Sequence, residues 1–461
     1  ILLGADDKLD PELAQQYASA GVSHILSVSG MHVGIIFMIV NYLLFFLSKS
    51  KKQKFIKTTI LLAIIWLYAC ITGMSPSVMR ATTMFTFVAL GNIFERQANT
   101  YNSLLTSLFF LSCFNPLIIY EVGIQLSYSA VLGIVWLQKP VKDFYIAKTK
   151  AGNYVWEIIA VSLVAQLLTF PLSMFYFHQF PNYFLLANIA VISLTPFVVG
   201  TGILCLIVSF WHWGFEYLSI ILNYMIKIMN YVVSFIEKMP FSTIKNISIN
   251  GWQLFLLYVV ILCGISAFLY KKKSFLFVSL FCVNAFLLIG IYHTIKNTHT
   301  NEMIVYSLSK GYVIDCMKGN TVYRIGDSLS LTDMKKYNFQ LTNYRIKKGI
   351  KHSKIVSTDV KNSDLFISGD FICFGGIEIL VVNKKIYYQN AVKERLKLDY
   401  VLLDHNPPVK INHLLKMVEP KTIIFSTNNS SYKIRKWKAE CDTLGIHYHD
   451  LRMGFLKIRC H

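Results

Sequence analysis

Before residue 295 this chain contains about nine or ten stretches that are apolar for the roughly 20 residues needed to cross the hydrocarbon of a bilayer. They centre near Val40, Ile64, Phe85, Phe109, Val131, Val164, Ile192 with Leu204, Met225, Ile261 and Phe281. In hydrocarbon the backbone must satisfy its own hydrogen bonds, so each such run has to be helix. With 54% hydrophobic and 15% charged residues, the chain is too apolar for a soluble protein of 461 residues. The expected fold is a polytopic α-helical membrane protein with a C-terminal α/β soluble domain. The chain starts at Ile1, without Met or a signal-like segment, and passes at once into ADDKLDPELAQQ. This predicts that the natural N-terminus lies upstream.

The polar residues within the apolar part narrow the reading. The stretch His24 to Gly34, HILSVSGMHVG, places His24, Ser29 and His32 at the mouth of the first apolar run, with Gly30 and Gly34 one helical turn apart. Two readings compete. Polar or irregular backbone at a span's edge is tolerated where protein or water surrounds it, which points to a pathway; small-xxx-small pairs also serve simply to pack two helices closely.

Three stripes recur at helical spacing: Ser162, Gln166, Thr169 and Ser173 around Pro171; Asn223, Lys227, Asn230, Ser234 and Glu237; and Glu121, Gln125 and Ser129. Interhelical hydrogen bonding explains Ser, Thr and Gln stripes. Lys227 near mid-span is harder to accommodate, because a lone ammonium there costs a few kcal/mol unless it meets water or a partner. Arg80 follows Ser75-Pro76, a cap and first-turn pair, and so either snorkels to the interface or stands as a fixed cation on a pathway. Pro116, Pro171 and Pro196 interrupt further runs.

Basic segments at Lys49 to Lys57, Lys139 to Lys150 and Lys271 to Lys273 are expected in the cytoplasm. Threading the spans between them places residues 1–24 and the tail from about Lys296 outside. The formal charge is +20, and residues 296–461 hold 27 Lys and Arg against 15 Asp and Glu. Such a surface favours polyanions, although a solvated lysine face is the more usual reading. Five of the nine cysteines lie in apolar runs, and no CxxC or Cys/His zinc spacing occurs. A disulfide would require the tail to be extracytoplasmic.

The tail reads as α/β. Strands are expected at Met303 to Leu308, Gly311 to Met317, Thr321 to Ile325, within Leu365 to Val382, at Tyr400 to Leu403, at Thr422 to Ser426 and near Ile446 and Phe455. Helices are expected at Lys410 to Val418 and Ser431 to Leu444. Three domains follow: an extracytoplasmic lead-in at 1–24, a membrane domain at 25–295 and the tail at 296–461.

The segments GVSHILSVSGMHVG, SPSVMRA (Ser75 to Ala81), GIQLSYSA (Gly123 to Ala130) and LLTFPLSMFYFHQFP (Leu167 to Pro181), in this order, resemble the ComEC family of competence proteins. The resemblance implies a multi-pass inner-membrane channel passing one strand of incoming DNA to the cytoplasm. It also implies an OB-like domain near the N-terminus, absent from this chain. The tail is similar to the metallo-β-lactamase-like domain that ends many members: GYVIDC around Asp315 resembles an early strand, DYVLLDHNP (Asp399 to Pro407) the strand entering the late histidine motif, and FSTNNSSYKIRKW through GFLKI the final strand-helix-strand unit. The HxHxDH ligand motif is nowhere in the chain, and Asp404, His405, Asn406 and Pro407 stand where His-His-Gly-Ser is expected. A two-metal hydrolytic site needs several converging ligands. The tail is therefore expected to be degenerate, without enzymatic activity, metal or cofactor.

These readings converge on a channel for single-stranded DNA. A polyanion crossing a bilayer needs cations and donors spaced along a wet route. His24, Ser29, His32, Arg80, Gln125, Gln166 and Lys227 are the candidates for that DNA pathway, with Gly30, Gly34 and Pro171 as packing or motif residues. No phosphate-binding G-x-x-x-x-G-K-[ST] loop is present, so a cytoplasmic DNA-translocating ATPase is the expected partner, together with an extracytoplasmic DNA receptor and inner-membrane lipid. A membrane-anchored nuclease working through the tail is the competing enzyme reading, and the missing ligand motif counts against it; a small-solute permease would instead show a compact occluded cavity.

Overall fold

The computed structural model describes residues 9–460 except 49, 94–98, 147, 299–300, 309–311, 327–341, 351, 357–359, 362–364 and 384–394. The start of the lead-in and Gly311 thus lie outside the described residues. The chain forms two compact units, Ile1–Phe286 and Leu287–His461.

The first unit is helical. α1 (Pro11–Ala20) starts with proline at its first position after Asp10, whose carboxylate accepts from Glu12 N–H at 2.9 Å. It ends at Gly21 with φ 81°, where a Cβ would lie 2.8 Å from Pro181 Cγ, so only glycine fits. The lead-in is bound to the helices. Tyr17, Ala20, Val22 and Ile25 share a core with Ala187, Val191, Met229 and Val233, and Tyr17 hydroxyl donates to Asn230 Oδ1 at 2.6 Å.

Among the described residues, ten helices follow: α2 (Gly30–Leu43), α3 (Lys51–Ile71), α4 (Pro76–Ile93), α5 (Thr100–Phe114), α6 (Val122–Lys142), α7 (Lys150–Phe177), α8 (Phe184–Ile207), α9 (His212–Glu237), α10 (Gly251–Tyr270) and α11 (Lys273–Thr298), whose second half belongs to the second unit. Among the described residues, six segments, in α3, α7, α8, α9, α10 and α11, are long and apolar enough to cross a membrane. The chain is a polytopic membrane protein with an α/β tail.

Several local expectations need correction. Lys51 to Lys57 are not loop residues but the first turns of α3, because Ser50 and Gln53 form a capping box that starts the helix there. Pro116 opens a 3₁₀ turn between α5 and α6 rather than breaking a span. Pro196 does not interrupt the run from Ile192 to Leu204, which is the single helix α8. Ser75 Oγ does not cap α4, since it finds no hydrogen-bond partner among the described residues.

At one end of the helices, β1 (Gln179–Pro181) pairs antiparallel with β2 (Thr243–Lys245). Thr243 Oγ1 donates to Ser19 carbonyl at 2.9 Å, which ties α1 to the same plate.

The tail packs two sheets face to face. One runs β14 (Leu456–Arg459), β3 (Asn301–Ser307), β4 (Tyr312–Lys318), β5 (Thr321–Gly326), β6 (His352–Ile355). The other runs β13 (His447–Asp450), β12 (Val418–Phe425), β11 (Leu396–Leu403), β10 (Ile377–Val382), β9 (Phe371–Phe374), β8 (Leu365–Ser368), β7 (Val360–Lys361). Strands β10 to β13 are parallel, and where β11 and β12 are covered on both faces, at Val401 to Leu403 and Ile423 to Phe425, they read as continuous apolar runs.

Met303, Val305, Ile314, Phe374, Ile379, Leu402 and Ile424 fill the space between the sheets. α12 is only Ile411–Leu414, shorter than the helix expected through Val418, because Val418 already begins β12. α13 (Ser431–Leu444) buries Ile434, Trp437 and Cys441 on the outer face of the parallel strands, and Trp437 stacks on Phe425 with centroids 5.8 Å apart. Burying such side chains contributes about 1.5–3 kcal/mol each for the larger ones.

Asp315, at the centre of β4, is fully buried. Arg345 donates to it through Nε at 2.7 Å and also through Nη2, and Arg324 Nε lies 3.6 Å from its other oxygen. Glu302 on β3 accepts from Lys348 Nζ and Tyr344 hydroxyl, both at 2.9 Å, with Lys457 Nζ at 3.2 Å. Burial pushes its carboxyl up, but these three donors outweigh burial and hold it below the usual range. A depressed folded-state pKa stabilises above the unfolded value and loses that contribution as pH falls. Tail stability should therefore decline as pH drops through the carboxylate range, and Glu302→Gln should flatten that decline in acid-unfolding curves followed by circular dichroism.

Candidate functional site

The four segments that carry the family resemblance meet in the first unit. Ser29 ends an extended approach and α2 begins at Gly30, with His32 Nδ1 reaching back to accept from Ser29 N–H at 3.1 Å. This fixes the proton of neutral His32 on Nε2. That N–H is wholly buried and finds no acceptor among the described residues.

Gly30 faces α4. A Cβ on it would lie 2.7 Å from Arg80 Nη2 and 3.3 Å from Ala81 Cβ, so the missing side chain is the space the guanidinium occupies. Gly34, one turn on, faces Phe85, and a Cβ there would make an ordinary 3.4 Å contact. The pair does pack α2 on α4, and Gly30 in addition makes room for a cation.

Arg80 is only 7% exposed, and so it points inward rather than to the interface. Its guanidinium sits 5.8 Å from the centre of the Tyr128 ring on α6. Among the described residues it has no carboxylate partner, and its Nε makes no hydrogen bond. Thr82 and Thr83 beside it bury hydroxyls that are likewise unsatisfied. A buried cation among unmet donors is costly in an apolar surround and is tolerated where water or an anion reaches it.

α6 and α7 continue the site. Tyr128 hydroxyl and Ser107 Oγ of α5 share a hydrogen bond at 2.9 Å. Gln125 donates to Ile119 carbonyl and accepts from Tyr176 hydroxyl, both at 2.9 Å. Tyr258 of α10 donates to Leu168 carbonyl at 2.9 Å, next to the Leu167 carbonyl whose intrahelical donor Pro171 removes. Gln125, Tyr128, Ser129, Tyr176 and Tyr258, with Leu and Ile side chains, line a cleft of about 460 Å³.

These positions match a family. A model described as competence protein matches residues 1–271. The chain belongs to the competence protein family. A second model, described as the ComEC C-terminal domain, matches residues 303–458. The chain is 27% identical over 303 residues to ComE operon protein 3 of Bacillus subtilis (strain 168), across 64% of this chain and 37% of that relative. It therefore spans little more than a third of the length of the curated relative it matches. No solved structure matches. Family and helices together make this a multi-pass inner-membrane protein.

Of the candidate pathway residues in this competence-family chain, the fold brings Ser29, His32, Arg80 and Gln125 into one continuous cluster. His24 lies exposed in a 3₁₀ turn just before it, and Gln166 is half-buried on α7. Lys227 is not brought there. It is exposed on α9 beside its own Tyr224, at 5.8 Å from the ring, because the buried face of α9 carries Met229, Val233 and Ile236. The polar stripe expected around it divides, with Asn223 outward and Asn230 turned in to Tyr17. Tyr128, Tyr176 and Tyr258 were not singled out from the sequence. The available signal was the pair of tyrosines inside the quoted segments GIQLSYSA and LLTFPLSMFYFHQFP.

In the tail, the comparable position is the carboxyl end of the parallel strands, where α/β folds bind ligands. Asp404 is buried there, accepting from Ser426 Oγ and from Asn428 Nδ2 at 3.1 Å, with His405 Nδ1 at 2.6 Å. His405 and Asn406 both hold left-handed backbone, and Asn406 is fastened to Asn429 and Ser430 N–H. Both Asp404 oxygens are thus held by the turn, and among the described residues no group of three His, Cys, Asp or Glu side chains gathers here.

Proposed function

We propose that this protein passes single-stranded DNA across the inner membrane during DNA uptake, with Arg80 and its neighbours as the phosphate-facing part of the route. The observation that carries the reading is the buried Arg80, without a carboxylate among the described residues, where three of the four family segments meet at Gly30, Arg80 and Tyr128. A cation held in place but not neutralised can attract successive phosphates without trapping any one of them. The test is uptake of labelled DNA into a nuclease-protected cytoplasmic pool, in a deletion strain complemented with the full-length gene. Uptake equal to wild type in the uncomplemented strain would refute the reading.

The site also makes a finer test. Gly30→Ala should displace the guanidinium and lower uptake by about tenfold or more, whereas Gly34→Ala, which only touches Phe85, should stay near wild type. Equal effects at equal membrane levels would return both glycines to helix packing alone.

The orientation belongs to the same proposal. If α2 to α11 each cross once, Lys51 to Lys57, Lys139 to Lys150 and Lys271 to Lys273 fall on one side and the tail on the other. The positive-inside bias then supports a cytoplasmic position for the lysines and an extracytoplasmic one for the tail. The tail acts as a binding or assembly module without hydrolytic activity, as the engaged Asp404 supports. Movement of DNA draws on a cytoplasmic ATPase, and delivery on an extracytoplasmic receptor. Reporter fusions within the tail should be active only outside the cytoplasm.

A further inference from the structure

We infer that the tyrosine-lined cleft between α5, α6, α7 and α10 is a base-stacking subsite, which holds a nucleobase of the strand whose phosphate Arg80 attracts. The inference rests on the reading of the protein as a DNA channel and adds which part of the nucleotide goes where. The cleft, at about 460 Å³, is within the range of small-ligand pockets.

Its chemistry is unusual for a pocket that discriminates. The hydroxyls of Tyr128, Tyr176 and Tyr258 are committed to Ser107, Gln125 and the Leu168 carbonyl. Both ends of the Gln125 amide are committed as well, to Ile119 carbonyl and Tyr176. Apart from Ser129 Oγ, what remains to offer a ligand is aromatic and aliphatic surface. Every base has a π-face, so stacking on tyrosine holds any base, whereas uncommitted donors and acceptors would select among them. A protein that passes DNA of any sequence needs the first kind of surface.

The occupant is decided by what stands beside the cleft. Tyr128 lines it while the Arg80 guanidinium lies 5.8 Å from the centre of the same ring. A stacking surface and a buried cation on one side chain match the two ends of a single nucleotide, base and phosphate. An acyl chain would use the apolar lining but leave Arg80 with nothing to neutralise. The committed hydroxyls have a second consequence: they fix the ring positions before a base arrives, so little side-chain freedom is lost on binding.

The test uses the full-length protein in nanodiscs, with fluorescein-labelled oligo(dT) and a strand of equal length in which the bases are replaced by abasic sites. Wild type should bind oligo(dT) about tenfold tighter than the abasic strand. The double variant Tyr128→Leu, Tyr258→Leu should lose that preference and keep its affinity for the abasic strand. Tyr258→Phe, which keeps the ring and gives up only the hydrogen bond to Leu168, should retain it. Ultraviolet crosslinking of 5-iodouracil DNA should place the adduct on Tyr128, Tyr176 or Tyr258 in wild type. Equal binding of both strands by wild type, with adducts elsewhere, would overturn the subsite, leave the channel reading standing and make the cleft a lipid groove. No binding of either strand, together with normal uptake in the double variant, would overturn both.

Discussion

Arg80→Gln is expected to reduce DNA uptake roughly thirtyfold or more while leaving the protein at wild-type or higher levels in the membrane. The two halves of this result come from one observation. Arg80 is 7% exposed and, among the described residues, has no carboxylate to offset its charge. Keeping a guanidinium there opposes folding, because desolvation is not returned by an ion pair. Glutamine, shorter but neutral and polar, removes that cost, so a purely structural account predicts a protein about as stable and as active as before. If instead the charge meets phosphate during passage, its loss removes a desolvated charge-assisted contact of about 2–5 kcal/mol. Arg80→Lys should fall between the two, since the charge is kept but the flat fork lying near Tyr128 is lost. Uptake is read as nuclease-protected label per cell, normalised to membrane protein by immunoblot. Normal uptake by the Gln variant at equal level would remove Arg80 from the route.

Asp315→Ala should destabilise the tail by about 3–5 kcal/mol, the largest single effect expected outside the membrane unit. Asp315 is fully buried between Arg345 and Arg324, so its removal leaves two guanidinium groups in the sheet with no anion between them. The remedy is as informative as the damage. Replacing Asp315, Arg324 and Arg345 together with apolar residues of similar volume should restore most of the loss, because well-packed apolar groups equal or exceed a buried ion network. Urea unfolding of the tail beyond α11, followed by far-ultraviolet circular dichroism, reads the change as a shifted midpoint at constant slope. The same triad gives Asp315 of GYVIDC a structural task in the core.

Much of the membrane unit could be read without coordinates. A run of apolar residues long enough to cross hydrocarbon has one backbone solution, so α3 and α7 to α11 follow from composition and length alone. The carboxyl halves of the parallel strands β11 and β12 were also legible, since burial on both faces leaves an apolar run there, whereas their first halves, LKLD and VEPK, carry charges and did not read as strand. Ends of elements were less legible. α12 stops at Leu414 because β12 needs Val418, and α3 starts at Lys51 because Ser50 and Gln53 cap it, so a stretch of lysines that reads as loop is helix.

The candidate site shows the same division. Chain composition and motif order determined that this is a multi-span membrane protein of a particular family with an α/β tail, because hydrophobic length and local segments are properties of neighbouring residues. Which polar residues belong together was decided only by tertiary structure. Lys227 and Arg80 are both cations within apolar sequence, and spacing along each helix cannot say which face meets another helix. Packing turned Met229 and Val233 of α9 inward and left Lys227 outside, while Gly30 of α2 opened a space that Arg80 of α4 fills. A helix's polar stripe is a one-dimensional pattern, and its meaning depends on what the second and third helices place against it.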